Sequence, residues 1–384
     1  LLADVADTDA LGLPDHALLA RWGPDVLAAA GVLTGVGLVR DEDVPLDDTA
    51  DHDLDGELDW VEAVSADLPA HDLPPVLPEL LAVRDLDLVR DDAWPRVLAV
   101  LAADPGLRDA VVGPARVLLG DGRRVDVASY TGWWLREHAR LDGRPPTELA
   151  LGPAGGDLAG LYAEVSSGLD RAFLTAIGVR TSVESLLAEP DGADELLDRL
   201  ADVSRPVSAA QLARLYDGLS RLDPSAVSPP ELVRVRPDLV VASDRAVVLD
   251  APQHLQLPWP APPLLAPLDR AAALAEVLEL PTTGGRLGGV DLSGGEARDL
   301  PAVVRRVLPD GPTRWWEHER LVVGGHDADW WVGPDLAVHA CTVDGLARGL
   351  AWAAGRWGAR LLLAAAIAEP ARVDELLAEV SLEP

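Results

Sequence analysis

Two neighbouring runs organise this chain: SYTGWWLREHARLDGRPPTELAL at residues 129–151 and GLDRAFLTAIGVRTSVESLLAEPDGADELLDRLAD at residues 168–202. Their content is packing: an aromatic anchor, a Pro-rich corner, then short helices punctuated by Gly and Pro. Adjacent Trp133 and Trp134 cannot share one face of a helix, so one is expected in the core and the other over a neighbouring surface. Phe173, Leu174 and Ile177 form one helical face that ends at Gly178. Thr181 and Glu184 are spaced as a capping box for the next helix, which stops at Glu189-Pro190. Ser208 and Gln211 are spaced as a second, opening a helix that carries Leu212, Leu215, Tyr216, Leu219 and Leu222 at helical intervals.

Outward from this centre the same alternation continues. Residues 16–30 read as a helix bent at Gly23-Pro24, 36–39 as a short strand, and 41–59 as an acidic loop before a helix at 58–66. ELLAVRDLDLV after a Pro-rich connector alternates like a strand, and 94–103 reads as helix. Segments 116–119 and 124–127 flank Asp121-Gly122-Arg123 as a hairpin. ELVRVR, DLVVAS and RAVVLD follow as short strands. PWPAPPLLAP at 258–267 is stiff and reads as a domain boundary. Beyond it come helices at 269–279 and 301–308, and strands at 321–323, 330–332 and 336–339. Thr342 caps a long helix through Ala368, and a short helix occupies 371–380. The expected class is α+β: several small modules of short helices with small antiparallel sheets and a long helix near the C-terminus. The expected modules are 1–112, 113–257 and 258–384.

Composition excludes more than it selects. The net charge is −32, and residues 1–100 hold 23 acidic side chains against 5 arginines. Such a field repels phosphate backbones and anionic lipid heads, so neither nucleic acid nor membrane is an expected partner. Cys341 stands alone, which excludes an internal disulfide and suits a reducing cytoplasm. The longest apolar run, 361–368, is bracketed by Arg360 and Glu369 and is far short of the ~20 residues that span a bilayer. The sequence lacks Lys, so Schiff-base lysines and phosphate-loop lysines are excluded. LSGGEAR at 292–298 looks like the ABC signature, but that motif acts against a phosphate-binding loop this sequence cannot build. It reads instead as a Gly-rich loop before helix 301–308. No GxSxG elbow is present for a serine hydrolase.

Three constellations could carry chemistry. In DHDLDGELDWVE, residues 51–62, Asp51, Asp53, Asp55, Glu57, Asp59 and Glu62 have the spacing of a calcium loop with Gly56 at its turn. The segment before Asp51 makes a poor entering helix, so the competing reading is a solvated acidic turn. His318, His326, His339 and Cys341 could be drawn as a zinc set, although their spacings of 8, 13 and 2 residues match no compact knuckle. Glu317 and Glu319 near Asp327 and Asp329 could form an acid/base pair across a hairpin in a hydrolytic enzyme. Solvated hairpin charges explain the same residues. If the chain is a binding module, the contact candidates are Trp133, Trp134, Trp315, Trp316, Trp330 and Trp331.

The runs RRVDVASYTGWWLREHARLDGRPPTELAL and AFLTAIGVRTSVESLLAEPDGADELLDRLAD, with WWEHERLVVGGHDADWWVG and VHACTVDGLARGLAWAAGRW, resemble the later part of bacterial sacsin-like proteins. The resemblance covers most of residues 15–384 and rests on packing motifs. It implies a cytoplasmic, chaperone-like ATPase whose GHKL-type domain, with its ATP and magnesium, lies upstream. Such a domain needs an Asn near magnesium, and this sequence has none. This chain is then expected to be a non-catalytic region without a cofactor of its own, binding protein clients or its own ATPase domain. A hydrolytic site at 310–340 and a calcium-binding module at 51–62 are the alternatives.

Overall fold

The computed structural model describes residues 5–6, 14–33, 35–47, 52–152, 156–287, 290–309 and 311–380. The chain forms two compact units, Leu1–Ala188 and Glu189–Pro384. The mixture of short helices and small, mostly antiparallel sheets is α+β.

In the first unit, helix α1 (His16–Ala29) precedes a sheet of β1 (Gly37–Pro45), β2 (Val76–Arg84), β3 (Ala115–Leu118) and β4 (Arg124–Val127), antiparallel throughout and in that spatial order. Between and after these strands lie α2 (Glu57–Asp67), α3 (Trp94–Ala103), α4 (Pro105–Val112), α5 (Tyr130–His138), α6 (Arg171–Ala176) and α7 (Val183–Leu187). Two-residue strands β5 (Leu149–Ala150) and β6 (Ala163–Glu164) pair in parallel. One hydrophobic core gathers Trp60, Leu80, Leu98, Leu101, Leu135, Phe173 and Ile177. The boundary expected at 112/113 falls inside this core, because the β3–β4 hairpin and α5 pack into it. Strand β1 also runs through Asp41-Glu42-Asp43, which was expected to be loop.

Side-chain caps explain where the helices begin. Asp104 accepts from the N–H of Gly106 (2.9 Å) and Leu107 (3.1 Å) and stands before Pro105 at the start of α4. The Ser129 hydroxyl accepts from Gly132 N–H at 3.0 Å and donates to the Val111 carbonyl at 2.9 Å, so the cap of α5 also ties it to the end of α4. Asp170 caps α6 and receives both ends of the Arg108 guanidinium, at 2.7 and 3.0 Å. The box at α7 is Ser182 with Ser185, not Thr181 with Glu184; the small hydroxyl reaches the cap N–H at 3.1 Å. Gly178 has φ of +95°, and a Cβ there would lie 2.9 Å from Arg136 Cγ.

The second unit opens with α8 (Gly192–Ala201) and α9 (Ala209–Leu219). The Ser208–Gln211 box caps α9 as expected. The hairpin β7 (Leu232–Arg236) and β8 (Leu239–Ala242) leads to a 3-10 turn at Pro252–Gln256. Then come α10 (Ala271–Val277), α11 (Thr283–Leu287), β9 (Glu296–Asp299), α12 (Ala302–Val307), β10 (Arg314–Glu317), β11 (Leu321–Val323), β12 (His326–Ala328), β13 (Trp330–Val332) and β14 (Val338–Ala340). Helices α13 (Val343–Ala353), α14 (Arg360–Ala368) and α15 (Val373–Val380) finish the chain.

Strands β13, β14, β10 and β9 form a sheet in that order, with β10 and β14 parallel and the other neighbours antiparallel. Leu346, Ala347 and Leu350 of α13 belong to the core that includes Trp330, Val338 and Ala340. Thr342 caps α13 through Gly345 N–H at 2.9 Å. The expected long helix is present in two segments, because Gly355 adopts φ of +64° and a 3-10 turn at Trp357–Ala359 follows. The Pro-rich run at 258–267 is part of the fold: Leu264, fully buried, bridges Val248, which also bridges Thr282. Among the described residues, no helix is long and apolar enough to cross a membrane.

Candidate functional site

The acidic loop of the first unit is held from within. Gly56 takes φ of +68° and starts α2. The Asp55 carboxylate accepts the Trp134 indole N–H at 3.0 Å, and its carbonyl accepts the Tyr130 hydroxyl at 2.6 Å. Glu57 is buried; it receives His52 Nδ1 at 2.5 Å and the His52 backbone N–H at 3.0 Å. His52 Nε2 lies 3.2 Å from Asp41 Oδ2. Burial opposes a charge on His52, but the hydrogen bonds to Glu57 and Asp41 outweigh it and raise its pKa. Asp53 and Asp59 border an open groove of about 620 Å3, joined there by Asp85 and Asp87 from beyond β2. Burial, then the charges of Asp55, Asp85 and Asp53, push the Asp87 carboxyl up. Glu62 is exposed on α2, and Asp51 lies outside the described residues. Among the described residues, no three His, Cys, Asp or Glu side chains are gathered as a metal ion requires.

Most of the six candidate tryptophans serve the interior. Trp134, Trp330 and Trp331 are buried, which removes them as partner contacts in this fold. Trp330 stacks on Trp357 at 5.9 Å, and Trp331 lies tilted on His254 at 5.2 Å. Trp133 and Trp315 are half-buried, each packed against its unit's core. Trp316 is 40% exposed. Its ring stacks on His339 with an interplanar angle of 10°.

In the 310–340 segment two of the candidate carboxylates face arginines. Glu317 receives Arg298 Nε at 2.8 Å, and Asp327 receives Arg320 Nε at 2.6 Å. Of the four residues drawn as a zinc set, two meet: His318 Nε2 lies 2.8 Å from His339 Nδ1, and both rings are buried. Gly295 closes over His318, and a Cβ there would stand 2.5 Å from Nε2. His326 is exposed in the β11–β12 hairpin, and the Cys341 thiol donates to the Ala328 carbonyl at 3.1 Å.

Burial lowers the pKa of His318. Burial and then His318 lower that of His339, and burial lowers that of His254 against the pull of Asp250. Below the ordinary histidine value of about 6.5, the unfolded chain takes these protons first, so the second unit loses stability as pH falls. His52 has the opposite sign: its contribution is present below about 6.5 and lost as pH rises through its raised folded value. Acidifying from about pH 7.5 to about 5.5 is therefore expected to lower hydrogen-exchange protection factors, the rates divided by the intrinsic rate at each pH, around 316–341 and to leave those of 41–47 and 52–57 unchanged or higher. A uniform response of the two segments would contradict this assignment.

The most specific contacts lie just before the Pro-rich run, at residues 250–256, for which the sequence suggested no role. Gln253 accepts the Val332 N–H at 2.9 Å and donates to the Val332 carbonyl at 3.2 Å. Gln256 accepts the Asp329 N–H at 2.7 Å and donates to the Trp330 carbonyl at 3.0 Å. Two primary amides thus stand in for a neighbouring strand along the free edge of β13. Beside them Asp250 accepts from Thr283 Oγ1 (2.6 Å) and Gly284 N–H (3.1 Å), with His254 Nδ1 2.8 Å away. With its oxygens so occupied, Asp250 ties its own turn at 250–254 to Thr283-Gly284. The available signal was scarcity: the chain holds three Gln and no Asn, and the third, Gln211, completes a capping box. Gln253→Leu should leave both buried Val332 groups unpaired, at about 2–3 kcal/mol. Thermal unfolding of the second unit would register it, and an unchanged midpoint would count against the staple.

Comparison of this chain with protein families, with curated proteins and with solved structures finds no match.

Proposed function

We propose that this chain is a non-catalytic scaffold that binds protein clients, as the sacsin-like resemblance implies for the region following a chaperone-like ATPase domain. The observation that carries the reading is α1. This helix of 14 residues buries none of its side chains. Leu18, Trp22 and Val26 are 47%, 49% and 51% exposed, with Leu19 beside them. The segment bends at Gly23 (φ +72°) before Pro24, and apolar side chains exposed on both sides of that bend suit contact with another protein. The guanidinium of Arg21 lies over the Trp22 ring, 5.1 Å from its centroid, and covers one face of it. With a net charge of −32 on the chain, the favoured client segment combines apolar with basic side chains. ATP and magnesium belong, on this reading, to the upstream domain.

The test is light scattering from a mildly heated reporter enzyme. The wild-type chain should suppress its aggregation, and the triple variant Leu18→Ser, Trp22→Ser, Val26→Ser should suppress it several-fold less. Because these side chains lie outside the core, the variant should keep the wild-type circular dichroism. No suppression, or equal suppression by both proteins, would refute the reading.

A further inference from the structure

The two four-stranded sheets end in four edge strands, and three of these are ill suited to further pairing. Strand β1 carries exposed Asp41-Glu42-Asp43, with Asp43 at φ of +56°, and ends in Pro45. Gln253 and Gln256 occupy the edge of β13. Strand β9 exposes all of its side chains, and Glu296, Ala297 and Asp299 are poor strand formers. Strand β4 differs. Val125 and Val127 are half-buried against the core of the first unit, and exposed Arg124 and Asp126 alternate with them. Its register with β3 runs unbroken through four pairs. The turn fixes which way its main chain faces. Leu119 N–H donates to the Arg123 carbonyl at 2.9 Å, so residues 123, 125 and 127 bond towards β3. The N–H and C=O of Arg124 and Asp126 therefore face outwards, where no further strand lies among the described residues.

From this we infer that β4 pairs with β4 of a second copy of this chain, antiparallel across a two-fold axis, so that two sheets become one. Outward main-chain groups must meet outward groups. The centre of the pairing then sets Arg124 opposite Arg124, Asp126 opposite Asp126, or Arg124 opposite Asp126. The first two arrangements put like charges face to face, which is unfavourable. The third sets Arg124 against Asp126 of the second copy twice, each pair exchanging main-chain hydrogen bonds. Val125 then meets Val125 of the second copy at the closely spaced position between them, which joins the margins of the two cores. The charges within one copy favour the same arrangement. Asp126 faces Arg116 of β3 at 3.6 Å, but Arg124 faces Leu118 and so lacks a carboxylate across its own ladder. Asp126 of the second copy supplies it. A net charge of −32 on each copy and the shortness of the strand keep the dimer weak, with a dissociation constant on the order of tens of micromolar. This contact lies on β4 and not on α1, so it goes beyond the client reading and does not depend on it.

The test is sedimentation of the chain over a range of concentrations up to about 200 µM, in about 150 mM salt to screen long-range repulsion. The wild type should show a reversible monomer–dimer equilibrium. Asp126→Arg sets arginine opposite arginine twice, and Arg124→Asp sets aspartate opposite aspartate twice. Each should weaken the dimer at least about ten-fold. Mixed together, the two variants should dimerise with each other, because opposite charges then meet across the axis. The double variant Arg124→Asp, Asp126→Arg should recover the dimer by itself. Both side chains are exposed, so circular dichroism should stay that of the wild type. A second measurement needs no variant: raising the wild-type concentration should protect the amides of Arg124 and Asp126 from hydrogen exchange and leave those of Val125 and Val127 unchanged. A wild type that stays monomeric at the highest concentration overturns the inference. So does a dimer that neither single swap weakens, or a mixture of the two that remains monomeric. Loss of the dimer in the triple α1 variant would move the contact to α1 and overturn it equally.

Discussion

Replacing Trp134 by Ala should lower the unfolding midpoint of the first unit by about 10 °C, whereas Trp133→Ala should cost a third of that or less. The two residues are adjacent in sequence and opposite in duty. Trp134 is 2% exposed. It stacks on His138 at 4.2 Å, lies 6.0 Å from Trp94, and donates its indole N–H to Asp55. Truncating it to Ala opens a cavity worth about 3–5 kcal/mol and removes the donor that holds the Asp55 carboxylate. Trp133 is half-buried over Tyr130, at 6.3 Å, so its removal exposes surface more than it hollows the core. Hydrogen exchange should also separate them: loop 52–57 should open in Trp134→Ala and stay protected in Trp133→Ala. Equal shifts would mean that the aromatic anchor is not what joins the acidic loop to the core.

That asymmetry marks what a sequence can and cannot reveal here. The need for one buried Trp follows from helix geometry, but the partner at Asp55 lies 79 positions away. Signals that act within a few residues were legible: the Ser208–Gln211 box, the Thr342 cap, the turn at Asp121-Gly122, and the helix end at Gly178. Strand β1 was missed through Asp41-Glu42-Asp43 because it is an edge strand, exposed to water there and under no pressure to alternate. The Pro-rich run was taken for a linker because Pro donates no ladder hydrogen bond. Its Leu264 nonetheless packs in full burial beside Val248. Gln253 and Gln256 act on a strand edge more than 70 positions on, and no local pattern announces such a pairing.

Arg234→Ala is the second large effect expected, of about 3–5 kcal/mol in the second unit, or again about 10 °C. Arg234 is 1% exposed in β7. The register of the β7–β8 hairpin shifts between Arg234 and Arg236, and such a bulge re-aims a side chain. The guanidinium donates through Nε (3.1 Å) and Nη2 to the Pro237 carbonyl, and through Nη1 to the Asp202 carbonyl at 3.2 Å. Asp202 follows the last turn of α8, where the helix dipole is negative and favours a cation. Burial lowers the pKa of Arg234, and Tyr216, Asp202 and Asp238 act against that loss. The Tyr216 hydroxyl also donates to the Arg234 carbonyl at 2.9 Å, so the same residue anchors α9 to the hairpin. Alanine would leave a cavity and strand two carbonyls without their donor. Lysine keeps the charge but cannot fork between Pro237 and Asp202, so Arg234→Lys should recover less than half of the loss. If Lys restores the full midpoint, the charge alone suffices and the two-carbonyl clamp is refuted. If Ala itself shifts the midpoint by less than about 2 °C, the hairpin is held by its apolar contacts and the buried arginine is a passenger.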